Sequence, residues 1–98
     1  MSPRVSVVQH GRDGHVTYHE GANAITGYFE FGGGDVVAIV SMGSDADWRA
    51  HHGWAIDRRG EVLRFVAAEL IRHKAPDCQA TIDDASGDIV FRLAGAGG

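Results

Sequence analysis

Cysteine is almost missing from this chain. Of 98 residues one is cysteine, Cys78, so no internal disulfide can form and a reducing compartment is expected. Long apolar runs are missing too. The longest, Val36 to Val40, is far too short to span a bilayer. Met1 to His10 holds no apolar signal-peptide core, so a soluble cytoplasmic protein is expected, with no membrane partner. Positive charge is sparse. The formal net charge is −4, with nine basic and 13 acidic side chains, and this argues against nucleic acid as a partner. Residues 50–75 are the one basic stretch, with five basic and three acidic side chains, too few for a patch. No repeat or linker divides the chain.

What is present suits one globular domain. The hydrophobic share is 44% and the charged share 22%, ordinary values that exclude wholesale disorder. Residues 1–93 are read as one α+β domain and 94–98 as a disordered Gly/Ala tail.

Val5 to Val8, His15 to Glu20 and Ile25 to Phe31 read as strands, punctuated by Gly11–Gly14 and Gly21–Ala24. Gly32-Gly33-Gly34 then turns a hairpin into Asp35–Ser41. Ser44 caps a short helix, and Asp45 and Asp47 suit its positive end. A long helix is expected from Trp54 to Lys74. Its apolar stripe is Ile56, Val62, Leu63, Val66, Ala67 and Leu70, and Pro76 stops it. Cys78–Asp83 and Asp88–Leu93 form a last hairpin, in which Cys78, Ala80 and Ile82 face Leu93, Phe91 and Ile89. The expected fold is α+β: a mostly antiparallel sheet, β-β-β-β-α-α-β-β in chain order, with one long amphipathic helix packed on one face.

Two features strain that picture. Val36 to Val40 is continuously apolar and asks for cover on both faces, whereas one helix covers one face. The second cover is expected from the short helix, anchored by Trp48, or from a second copy packing over Tyr28 and Tyr18. Arg59, in turn, falls inside the apolar stripe. The expectation is that the helix start overhangs the sheet and leaves the guanidinium near solvent with its stem packed. The sharper reading is an anion or carboxylate site at the sheet edge.

Other chemistry is thin. His15 and His19 have the spacing HxxxH, but on a strand they lie about 13 Å apart and cannot share one metal. His73 reads as a half-buried residue serving the last helical carbonyls. Cys78 reads as a small core residue. Asp83, Asp84 and Asp88 lack the ligand spacing of a calcium loop. Glu20 and Glu30 sit on neighbouring strands, yet nothing suits them to acid–base work. No catalytic residue, metal or cofactor is therefore expected. The densest cluster of unusual residues is Trp48, His51, His52 and Trp54 at the helix junction. With Arg59 and Tyr28 these are the candidate binding residues. The expected function is a protein-interaction module, pairing with itself as a homodimer or with one protein partner. The alternative is a small-ligand or anion-binding protein with its site at the helix junction.

Overall fold

The structure is a computed structural model that describes residues 2–94. The strands are β1 (Arg4–His10), β2 (Asp13–Glu20), β3 (Asn23–Phe31), β4 (Val36–Ser41), β5 (Cys78–Asp83) and β6 (Asp88–Leu93). Between β4 and β5 lie helix α1 (Asp45–His51), a 3₁₀ segment (Gly53–Arg58) and helix α2 (Arg59–Lys74). All six strands form one antiparallel sheet, in the order β1-β2-β3-β4-β6-β5. The expected α+β class holds. The chain leaves β4, crosses the sheet through its helices and enters the far edge as β5. The last hairpin then returns β6 beside β4.

Local chemistry explains these elements. The first strands outrun their expected limits because the turns between them need only two residues, 11–12 and 21–22. In the last hairpin Cys78 pairs with Leu93, Ala80 with Phe91 and Ile82 with Ile89, the register that the alternation predicts. Ser44 caps α1 reciprocally. Its hydroxyl accepts from the Asp47 amide at 3.2 Å, and its own amide donates to the Asp47 carboxylate at 3.1 Å. The segment expected to open the long helix winds first as 3₁₀, so the α-helix proper begins at Arg59.

One core fills the space between α2 and the sheet. Val62, Leu63, Val66, Ala67 and Leu70 meet Val16, Tyr18, Ile25, Phe29, Val40, Ile89 and Phe91. Each fully buried large side chain contributes about 1.5–3 kcal/mol. Cys78 is buried there as a free thiol. Tyr18 belongs to this helix-side face and is buried edge-on to Phe65 at 5.7 Å, not to the opposite face.

The opposite face corrects a second expectation. Only Val40 of β4 is buried, and Val36 to Ile39 are half-buried. Trp48 does not bring α1 over that face. It is fully buried in the core on the α2 side, with its indole N–H donating to the Met42 carbonyl at 2.8 Å. Among the described residues no helix covers the far face. The expected tail begins at Ala94, whose amide donates to the Asp77 carbonyl at 2.7 Å, so that residue is tied down. The rest of that tail, 95–98, lies outside the described residues.

Candidate functional site

The helix junction is built around Trp48 and Arg59. Arg59 is only 8% exposed, against the expectation of a guanidinium near solvent. Arg59 stands in the first turn of α2 on the same buried face as Val62, Leu63 and Val66, and the β4–α1 loop and the β5–β6 turn meet that turn instead of leaving it to overhang the sheet. The guanidinium lies 5.9 Å from the centre of the Trp48 ring. One terminal nitrogen donates to the Asp84 carbonyl, and the other donates to the Gly43 carbonyl at 2.9 Å. Nε is buried without a partner. The fork is thus occupied by backbone. Arg59 clamps the β4–α1 loop and the β5–β6 turn to α2, and it offers no free edge to an external carboxylate.

The other junction residues divide. His52 stands edge-on to Trp48 at 5.7 Å, and His51 lies beside His52 at 6.4 Å. Partial burial, with His51 as a neighbour, holds His52 below the usual histidine range. Trp54 is 40% exposed on the 3₁₀ segment. Tyr28 is not part of this group. It alternates with Gly27 and Phe29, which face the helix, and so stands on the opposite face. There its hydroxyl donates to Asp13 at 3.3 Å, and its ring is edge-on to His15 at 6.3 Å. The structure therefore brings Trp48, His52 and Arg59 together and leaves Tyr28 across the sheet.

Other candidates move as well. His73 is exposed and pairs with Glu69 at 3.1 Å, rather than serving the helix carbonyls. Glu30 pairs with Asp13 at the start of β2, whereas Glu20 ends that strand, so the two carboxylates stand about 23 Å apart. They also point to opposite faces. Among the described residues no group of three or more His, Cys, Asp or Glu is placed to hold a metal.

Two features escaped sequence reading. The first is an ion cluster at the open end of β2. Glu20 accepts from Arg58 at 2.8 and 2.9 Å and from the Tyr18 hydroxyl at 2.6 Å, and Arg58 also reaches Glu61 at 3.0 Å. Those donors pull the Glu20 carboxyl down to about 2. Burial and the adjacent carboxylate push the Tyr18 hydroxyl up. Thirty-eight residues separate Arg58 from Glu20, and no local pattern announces such a pair.

The second is an apolar groove of about 250 Å³ on the helix side. It lies between the C-terminal turn of α2 and strands β1 to β4. Phe29, Phe31, Val37, Phe91 and Leu70 line it, with Gln9 and Lys74 as its polar residues. The register shift between Val36 and Ala38 lets both Val37 and Ala38 line it. The glycine turn and the end of α2 leave this corner of the sheet uncovered.

Comparison of the chain with protein-family models, with curated proteins and with solved structures found no match. No helix among the described residues is long and apolar enough to cross a membrane.

Proposed function

We propose that this chain is a cytoplasmic protein-interaction module that pairs with a second copy of itself through the sheet face opposite α2. The observation that carries the reading is the half-covered state of β4. It is an interior strand of continuous apolar residues, and among the described residues nothing packs over its far side. A solvated sheet face ordinarily alternates to polar residues. The far face does so on β2, with His15, Thr17 and His19, and on β1 at Ser6, while Val8 beside His15 is exposed. At the centre it does not. Ile39 lies directly opposite Val90, and Tyr28 is a diagonal neighbour of Ile39 through Ser41. Charges of both signs rim this centre, Glu30 and Asp88 against Arg92, so a copy related by a twofold axis can set opposite charges against each other.

The test is native mass spectrometry and sedimentation velocity on protein purified without a metal-affinity step. The expected species is a dimer, and Ile39→Asp returns it to a folded monomer. A native chain that is monomeric at micromolar concentrations overturns the proposal.

A second reading, ligand binding, is supported by the groove beside α2 rather than by the helix junction. There both terminal nitrogens of Arg59 already donate to backbone carbonyls.

A further inference from the structure

The sheet is wider than one helix can cover. Six strands at about 4.8 Å spacing make a face roughly 24 Å across, while a helix covers about 10 Å of it. Over β5, β6 and the middle strands α2 fills that width with its apolar stripe. At the glycine-turn end it stops at Lys74, and Phe31 is left 38% exposed on the edge of the groove. The surface left bare is a concave strip of aromatic and branched side chains, the kind of lining that holds small ligands.

Charge makes the strip selective. Lys74 carries the one charge that lines the groove. Among the described residues its ammonium makes no ion pair. Asp77, the nearest acid in the chain, makes no ion pair with it, and Glu69 lines the adjoining cleft between α2 and β1, which Lys74 also borders. Glu69 is held there by Arg72 at 2.9 Å and His73 at 3.1 Å. A cation with no acidic partner therefore stands at the rim of an apolar trough, in a chain whose net charge is −4.

We propose that the groove binds a small amphipathic monocarboxylate, with its alkyl chain along Phe29, Phe31 and Phe91 and its carboxylate on the Lys74 ammonium. The inference rests on the ligand-binding reading above. The groove volume, about 250 Å³, falls below the roughly 300 Å³ at which sites for drug-sized ligands begin, which favours a small ligand. The competing account is that Lys74 serves only the negative end of the α2 dipole.

The experiment is a ¹H–¹⁵N NMR titration with octanoate, 1-octanol and octyltrimethylammonium, each below its aggregation limit. Octanoate is expected to give saturable shifts centred on Phe31, Val37 and Leu70, at about fivefold tighter affinity than octanol, with the cation weakest. Lys74→Ala erases the difference between octanoate and octanol and leaves octanol binding unchanged. Lys74→Glu turns the preference toward the cation. Both substitutions are at an exposed position, and circular dichroism confirms their folding. If none of the three probes saturates the groove, the ligand-binding reading itself fails. If octanol equals octanoate on the native chain, the carboxylate assignment alone is overturned and Lys74 is left to the helix end.

Discussion

Arg58 holds Glu20 by both arms of its guanidinium, Nη1 at 2.9 Å from Oε2 and Nη2 at 2.8 Å from Oε1. The pair joins the end of β2 to the start of α2, and the Tyr18 hydroxyl completes it from the core side. A bidentate fork fixes orientation as well as distance. The apolar stripe drives α2 onto the sheet, and this pair fixes where the helix enters it.

A pH dependence follows from that pair. The Glu20 carboxyl titrates at about 2 in the folded chain and near 4.5 unfolded. A depressed carboxylate contributes stability that is complete above the unfolded value and is lost as pH falls through the folded one. Asp47, Glu69 and Asp84 are depressed in the same direction by Ser44, Arg72 and Arg64 respectively. Urea midpoints are therefore expected to fall as pH drops from about 4.5 toward 2, and Glu20→Gln is expected to flatten that slope. Added salt weakens it as well, because these groups are partly exposed. A native slope unchanged by Glu20→Gln removes Glu20 from the account.

Histidine adds a second, milder limb. Burial lowers His52, so the folded chain prefers it neutral. The contribution is complete above the unfolded value of about 6.5 and declines as pH falls below it. His52→Gln is expected to reduce the stability change between pH 7 and pH 5.5 while leaving the limb below 4.5 in place. Thermal midpoints at those pH values check it.

Arg59 behaves as a structural clamp. Removing it takes away the donor from the Gly43 and Asp84 carbonyls, both in part-buried hydrogen bonds, and the contact of the guanidinium with the Trp48 ring. A lost hydrogen bond to a charged donor costs about 1.5–3 kcal/mol. Arg59→Ala is expected to lower unfolding free energy by about 3 kcal/mol. Arg59→Lys is expected to recover part of that loss, since an ammonium reaches one carbonyl more readily than two. An Arg59→Ala variant as stable as the native chain would show that the clamp does nothing.

How far the sequence reached depends on the range of each interaction. Period-two alternation put Cys78, Ala80 and Ile82 opposite Leu93, Phe91 and Ile89, and Ser44 announced α1, because those signals lie within a few residues. Arg59 does fall on the buried stripe that its spacing from Val62 and Val66 indicates, but its burial comes from the β4–α1 loop and the β5–β6 turn packing against it, which no local signal announces. Glu20 meeting Arg58 was invisible, since it needs the crossover of α2 to be known. The groove was invisible for a related reason. It is made by where α2 stops relative to a sheet whose strand order had not been read. The apolar run in β4 asked for cover on both faces, and within the described residues only Val40 is buried while Val36 to Ile39 are half-buried.

Val37 and Ile39 separate folding from association, because the bulge in β4 sends them to different faces. Val37 lines the helix-side groove and packs on the core, whereas Ile39 stands on the far face between Glu30 and Val90. Val37→Asp places a carboxylate against Phe29 and Phe91 and is expected to cost about 2–4 kcal/mol of unfolding free energy at any protein concentration. Ile39→Asp leaves that core intact. Its loss is expected to appear only as a lost concentration dependence, because a chain that pairs gains stability by mass action. The check is a pair of urea titrations at two protein concentrations a hundredfold apart. If the native midpoint does not move between them and Ile39→Asp matches it, the far face is an ordinary solvated sheet. If the native midpoint rises with concentration and Ile39→Asp abolishes the rise, the half-covered strand finds its cover in a second copy.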